Sequence, residues 1–233
     1  MAQPKPDIPK RVTRILFVFD GSQSMYGRWD SGPKIDIAQR LMTEMLDSLG
    51  QLDQSTFQLA LRVYGHQKPV PPQDCNDTRL EVGFRSNNIP KIKRVLKSIR
   101  PKGTTPIARS LSRAANDFPP CDNCRNIIIL ITDGVESCDE DPCAVSRQLQ
   151  KKGIILKPFV IGIGLDDNAK ENFECVGNYY DAADEETFEK VLDIVISQAL
   201  DNTSAQINLI DLNEKSTITD VPYSLYNHTS QKP

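Results

Sequence analysis

Two short apolar runs, each ending at an acidic residue, constrain the fold of this chain most strongly. Residues 15–19 read Ile-Leu-Phe-Val-Phe and are followed by Asp20, and residues 127–131 read Ile-Ile-Ile-Leu-Ile and are followed by Thr132 and Asp133. A short apolar run without alternation is typical of a strand buried on both faces of a parallel sheet. Because ligands in such folds bind at the carboxyl ends of the strands, we expect Asp20 and Asp133 to lie close together.

Strand patterns alternate with helix patterns along most of the chain. Apolar residues at helical spacing predict helices over residues 34–49, 89–99, 105–118, from 142 and from 185, and further strands are predicted at 57–64, 79–84, 154–163 and 178–182. Thr105 is predicted as the N-cap of the third helix, with Pro106 at its first position. Pro158 predicts an irregularity in its strand. This alternation indicates an α/β domain, doubly wound, with a mostly parallel six-stranded sheet flanked by helices.

The order of patterns predicts three segments. Residues 1–13 are proline-rich and predict an extended leader, with no visible signal peptide, as in a mature exported protein. Residues 14–200 carry the α/β pattern. Residues 201–233 predict a short β-rich segment with strands near 207–212 and 221–226, which is either the start of a truncated β-sandwich or a ribbon packed on the main domain.

Charge and cysteine content narrow the function classes. The formal net charge is -3, so there is no overall basic excess to neutralise nucleic-acid phosphates. The sequence contains no apolar run of 18 residues, and so predicts no transmembrane segment. The 6 cysteines favour disulfides and an exported protein, although buried free thiols or a zinc site at Cys121 and Cys124 are alternatives at this stage.

Oxygen donors cluster on three predicted loops. Asp20 is followed by hydroxyls at Ser22 and Ser24, Thr105 opens a helix, and Asp133 ends the central strand. Carboxylates and hydroxyls are hard ligands that favour Mg²⁺, Mn²⁺ or Ca²⁺. Because a parallel sheet brings such loops together, these five residues are predicted to form one metal site.

These motifs resemble the von Willebrand factor type A (vWA) domain family. The run from Asp20 to Ser24 matches its DxSxS element, and Gly-Thr-Thr-Pro-Ile and Ile-Thr-Asp-Gly match its other two metal loops. The resemblance implies a Rossmann-like vWA fold and a metal-ion-dependent adhesion site built from Asp20, Ser22, Ser24, Thr105 and Asp133. Gln23 departs from the glycine of many members, and Thr104 is an alternative to Thr105. The cysteine-rich loop after Asp133 resembles bacterial members of the family.

The resemblance implies a binding protein of the cell envelope or exterior, not an enzyme. An open position on the ion would accept an Asp or Glu of a partner protein, with Mg²⁺ (or Mn²⁺ or Ca²⁺) as the ion. Tyr26, Arg28 and Trp29 follow the metal loop and are the predicted partner contacts, with core packing as the alternative for Trp29. The remaining alternatives are a structural envelope subunit with a vestigial site and, less favoured, a metal-dependent hydrolase or phosphotransferase.

The resemblance also bears on the disulfides. Cys121 and Cys124 are predicted to pair with each other because only two residues separate them. The other four cysteines admit three pairings. Family topology places Cys75 and Cys175 on opposite flanks of the sheet, too far apart for a disulfide. The favoured pairings are therefore Cys75–Cys138 and Cys143–Cys175.

Overall fold

The computed structural model describes residues 12–151, 159–163, 176, 179–182 and 184–200. In chain order, the strands of these residues are β1 (Val12–Asp20), β2 (Arg28–Trp29), β3 (Gly32–Pro33), β4 (Phe57–Tyr64), β5 (Thr78–Arg85), β6 (Cys124–Thr132), β7 (Phe159–Ile163) and β8 (Tyr179–Ala182). The helices are α1 (Lys34–Gly50), α2 (Ile89–Ser98), α3 (Ile107–Ala114), α4 (Pro142–Lys151) and α5 (Glu185–Leu200), and residues 23–26 form a short 3-10 turn.

The described strands form a six-stranded sheet in the order β5-β4-β1-β6-β7-β8 and a separate two-stranded ribbon, β2-β3. Strand β1 lies parallel to both β4 and β6, and only β5, at one edge of the large sheet, is antiparallel to its neighbour. This confirms the predicted mostly parallel, six-stranded α/β architecture. In register, Asp20 lies opposite Tyr64 and Phe19 opposite Ile131, so β1, β4 and β6 end at the same edge.

Strand β1 is buried on both faces, which explains its unbroken apolar run. Ile15, Phe17 and Phe19 contribute to a core under α1, α2 and α5. Leu16 and Val18 contribute to a second core on the other face, under α3 and α4. All five side chains are fully buried, as a central strand between two helical layers requires. The two cores fix β1 in place, and β1 in turn fixes Asp20 at its end.

Several boundaries differ from the sequence prediction. Strand β1 begins at Val12, inside the segment predicted as a leader over residues 1–13. Helix α3 begins at Ile107, and Pro106 rather than Thr105 is its N-cap residue. The prediction for Thr105 was wrong because its backbone is held by a neighbouring loop, as described below. Pro158 and the predicted β-rich segment at 201–233 lie outside the described residues.

The N-terminus of α5 is capped by a side chain. The backbone N–H of Thr187 donates to Oδ1 of Asp184 at 2.8 Å, which is the hydrogen bond of an N-cap aspartate. None of the helices in the described parts of the chain combines the length and apolar character needed to cross a membrane.

Candidate metal centre

The loop after β1 folds back over its own carboxylate. The backbone N–H of Ser22 donates to Asp20 Oδ1 at 2.7 Å, and the 3-10 turn that follows brings the hydroxyls of Ser22 and Ser24 to 2.9 Å from each other. Ser24 Oγ donates its single proton to Asp133 Oδ1 at 2.7 Å. The hydroxyls of Ser22 and Ser24 therefore join the β1 loop to the acid after β6.

Thr105 reaches the same place from the loop before α3. Its hydroxyl and that of Ser24 each lie 3.9 Å from the point that a Cβ on Gly134 would occupy, so both surround the residue after Asp133. The hydroxyl of Thr104 is instead bonded to Ser137 Oγ at 2.6 Å. The structure therefore brings Thr105, and not Thr104, to the group of predicted donors.

Asp20 is fully buried beneath this group. Its Oδ2 accepts hydrogen bonds from the hydroxyls of Tyr64, at 2.9 Å, and Thr132, at 2.8 Å. Burial, followed by the negative charge of Asp133, raises the pKa of Asp20 to about 6, although the bonds from Ser22 and Thr132 oppose the rise. Both oxygens of this carboxylate are therefore held by hydrogen bonds from the protein.

Sequence reasoning did not find Tyr64, although a signal was present. Tyr64 ends the apolar strand β4, and it lies opposite Asp20 in the parallel pairing of β4 with β1. A hydroxyl at the end of a strand adjacent to a terminal aspartate is a predictable partner for that aspartate. The fully buried Tyr64 side chain holds one face of the carboxylate, so Asp20 has a fixed orientation.

Lys34 is a second residue that sequence reasoning missed. Its Nζ donates to Asp133 Oδ2 at 3.0 Å, and its side chain is 17% exposed while that of Asp133 is 0% exposed. Lys34 is the first residue of α1, and its backbone N–H bonds to Gly27 O at 2.9 Å, just after the 3-10 turn. Asp133 is thus bonded by Ser24 on one oxygen and by an ammonium group on the other.

Glycine allows two of the metal loops to pack backbone to backbone. Gly65 has a φ of +67°, and a Cβ there would lie 2.5 Å from Thr104 O and 2.8 Å from Ser22 Cα. Its carbonyl accepts the backbone N–H groups of Lys102 and Gly103, at 3.1 and 2.7 Å. Only a residue without a side chain fits between the loops at this point.

A third loop supports Thr105 from outside. Ser137 Oγ accepts the backbone N–H of Thr105 at 2.9 Å, and the Ser137 N–H donates to Thr105 O at 3.2 Å. The next residue, Cys138, is disulfide-bonded to Cys75 with a Cα separation of 5.8 Å. The disulfide therefore fastens the loop that holds Thr105 to the loop between β4 and β5.

Both disulfides for which the structure describes both cysteines match the favoured pairings. Cys121 is bonded to Cys124 at the amino-terminal end of β6, with a Cα separation of 5.7 Å. Cys143 is also disulfide-bonded, but Cys175, its predicted partner, lies outside the described residues. None of the cysteines in the described part of the chain is a free thiol.

The rim of the site corrects one predicted partner contact. Tyr26 and Arg28 are exposed, as a binding surface requires, but Trp29 is only 8% exposed. The β2-β3 ribbon turns the Trp29 ring toward the core, where it contacts Phe188 of α5 edge-on at 6.1 Å between ring centroids. Trp29 is a core residue. Val135, which the sequence analysis did not select, is exposed beside Asp133.

The donor set suits a hard divalent ion. Within the described residues, no three His, Cys, Asp or Glu side chains lie close enough to hold a metal by themselves. An ion here would therefore use the hydroxyls together with the two carboxylates. Such an all-oxygen set matches Mg²⁺, Mn²⁺ or Ca²⁺ in ligand type, and two mutually repelling buried carboxylates would be stabilised by a cation.

Nearly all of the α/β part of the chain matches one known family. The von Willebrand factor type A domain profile matches residues 15–194, a range that begins in β1 and ends in α5 and includes all five predicted ligands. The chain belongs to this family.

Known relatives and structures agree with this assignment. Uncharacterized protein YwmD of Bacillus subtilis (strain 168) is 29% identical over 188 residues, which is 76% of this chain and 82% of YwmD. The pilus adhesin SpaC from Lactobacillus rhamnosus GG is similar in fold, with a TM-score of 0.68 and 14% identity, over 84% of this chain and 31% of SpaC. Proximal thread matrix protein 1 of the mussel byssus, solved with a zinc-occupied MIDAS motif, has a TM-score of 0.63 and 20% identity, over 82% of this chain and 46% of that protein.

Proposed function

We propose that this chain is a metal-ion-dependent protein-binding module, in which an ion at the β1–β6 edge accepts an Asp or Glu of a partner protein. The observation that supports the proposal most directly is the hydrogen-bonded series from Asp20 through Ser22 and Ser24 to Asp133. The hydroxyl of Thr105, from a third loop, lies beside Gly134, the residue after Asp133. A divalent ion bound there would supply a Lewis-acidic position for the partner's carboxylate. Mg²⁺ is the ion that we propose.

The surface around the site supports a protein partner. Tyr26 is 53% exposed and Val135 is 41% exposed, and each lies two residues from a proposed ligand, Ser24 or Asp133. Exposed apolar side chains beside a polar centre are typical of protein interfaces, where Tyr and Arg supply much of the binding energy. Tyr26, Val135 and the exposed Arg28 are therefore the proposed contact residues around the ion.

The same residues argue against catalysis. A phosphotransferase with Asp20 as its nucleophile generally has a second Asp at position 22, and this chain has Ser22 there. Both oxygens of Asp20 accept hydrogen bonds beneath the site, where a nucleophile needs a free approach. His66 is bonded to Glu81 at 2.6 Å and is not a base for Asp20. We propose no enzymatic activity.

The disulfides support a location outside the cytoplasm. Cys75–Cys138 and Cys121–Cys124 are both formed, and disulfides persist in oxidising compartments. The fold similarity to a pilus adhesin and the MIDAS motif of a byssus protein fit an extracellular adhesion role. We propose an exported protein of the bacterial cell envelope or surface.

Calorimetric titration of Mg²⁺ and Mn²⁺ tests the site. The wild type should bind one ion, and Asp20→Asn and Asp133→Asn should each lose binding because each removes a charge from the centre. Asp139→Asn is the matched control, because Asp139 is an exposed acid on the same loop as Asp133 and contributes no proposed ligand. Equal binding by the wild type and by both site variants would refute the proposal.

A pull-down from envelope extracts tests the proposed partner binding, with the wild-type protein as bait and Mg²⁺ present. Retention of a protein should disappear in excess chelator and with the Asp20→Asn bait, and should persist with the Asp139→Asn bait. A retained protein should also lose binding when its own contacting Asp or Glu is replaced by the amide. Retention that survives chelator would contradict a metal-dependent mechanism.

A further inference from the structure

The ammonium group of Lys34 lies inside the proposed metal centre. Its Nζ is 3.0 Å from Oδ2 of Asp133, a proposed ligand whose side chain is completely buried. The other oxygen of Asp133 accepts the hydroxyl of Ser24. A positive charge therefore already neutralises the carboxylate that a divalent ion would use.

The position of Lys34 in α1 is otherwise unfavourable for a cation. It is the first residue of a 17-residue helix. The N-terminus of a helix carries a partial positive charge from its aligned peptide dipoles, so acidic residues are stabilised there and basic ones are not. The ion pair with Asp133 offsets the repulsion between Lys34 and the positive end of the helix dipole.

We infer that Lys34 is an intramolecular competitor for the metal: its ammonium neutralises Asp133 in the ion-free protein, and the ion must displace it to bind. This inference rests on the proposed function, because it concerns the same centre. A divalent ion and an ammonium group cannot both lie against one carboxylate oxygen without strong repulsion, because two positive charges a few ångströms apart repel each other strongly where water is largely excluded.

Two consequences follow for the protein. First, Lys34 lowers the affinity of the site, so the ion is held less tightly than the donor set alone would allow. Second, Lys34 keeps the ion-free domain folded with Asp133 paired, since a buried carboxylate that has lost its partner is strongly destabilising. The ion then exchanges one cation for another at Asp133 and adds little stability of its own.

The test compares Lys34→Met with the wild type by calorimetry with MgCl₂ and by thermal unfolding with and without Mg²⁺. Met keeps an unbranched side chain that is only one atom shorter, and it removes the charge. The variant should bind Mg²⁺ about tenfold more tightly, which corresponds to about 1.4 kcal/mol. Without Mg²⁺ its melting temperature should be below that of the wild type, and saturating Mg²⁺ should raise it by more than it raises the wild type.

Lys102→Met is the matched control. Lys102 lies in the loop next to the metal centre, its backbone N–H bonds to Gly21 O at 3.1 Å, and its exposed side chain has no carboxylate within ion-pair distance among the described residues. The Lys102→Met variant loses the same charge but no contact with Asp133, so its Mg²⁺ affinity should change less than twofold. A tenfold gain in this control as well would show a general charge effect and would overturn the inference.

The outcomes separate this inference from the proposed function. If the wild type binds Mg²⁺ and Lys34→Met binds it equally or more weakly, the competitor role is wrong and the metal site stands. Binding by Lys34→Met alone, with none detectable in the wild type, would support the competitor role and contradict Mg²⁺ binding by the wild type. If neither protein binds Mg²⁺ while both remain folded by circular dichroism, the inference and the proposed function both fail.

Discussion

The disulfide between Cys75 and Cys138 should stabilise both the fold and the metal centre. It closes a loop with a sequence separation of 63, whereas Cys121–Cys124 closes one with a separation of 3. If a disulfide acts mainly on the entropy of the unfolded chain, removal costs about 4 kcal/mol for the long loop and about 2 kcal/mol for the short one. The difference between the two unrounded costs, about 2.7 kcal/mol, is the quantity to measure.

The assay is urea unfolding, without reductant, of the wild type and of two double variants. One is Cys75→Ala with Cys138→Ala, and the other, the matched control, is Cys121→Ala with Cys124→Ala. The first should lose more free energy of unfolding than the second. It should also bind Mg²⁺ more weakly, because Cys138 follows Ser137, which holds the backbone of Thr105.

The control should retain its Mg²⁺ affinity, because Cys124 begins β6 at the end of the sheet remote from the metal loops. Equal losses of unfolding free energy in both double variants would refute the loop-entropy reasoning. Unchanged Mg²⁺ affinity in the first variant would show that Ser137 needs no anchor in order to hold Thr105.

Two further predictions concern single side chains near the centre. Trp29→Ala should lower the free energy of unfolding by about 3–5 kcal/mol, as expected for a large ring lost from a core, and should leave Mg²⁺ affinity unchanged. A variant that keeps its stability but binds the partner more weakly would show that Trp29 is a partner contact instead of a core residue. Tyr64→Phe should lower the free energy of unfolding by about 1 kcal/mol in urea, because Asp20 loses one hydrogen bond, and should alter the Mg²⁺ affinity measured by calorimetry. A variant identical to the wild type in both assays would contradict the role of Tyr64 in positioning Asp20.

Much of the fold was predictable because it rests on local patterns. The apolar runs before Asp20 and Asp133 identified two buried strands, and parallel strands end at a common edge, so the meeting of the two acids followed from topology. Helices α1 and α4 were predicted to within a residue or two because their apolar spacing and the proline at 142 are local signals. The order of the strands in the sheet matches the doubly wound pattern that this alternation favours.

The errors arise where tertiary contacts decide. The sequence around Trp29 gives no sign of its direction, because a two-residue strand has too little pattern, and only the β2-β3 ribbon turns the ring inward. The N-cap role of Thr105 was wrong because Ser137, 32 residues away, holds its backbone. Lys34 was read as the start of a helix, since nothing in the sequence near it points to an acid 99 residues away.

The close packing at Gly65 has a kinetic consequence. With a backbone contact that admits no side chain between the Ser22 and Thr104 loops, the two loops are held together once the domain has folded. The loops of the site therefore become ordered when the domain folds, and no loop has to close when an ion binds. We expect the rate of Mg²⁺ uptake to be limited by the removal of water from the ion, which Mg²⁺ loses reluctantly, and by the departure of one lysine side chain.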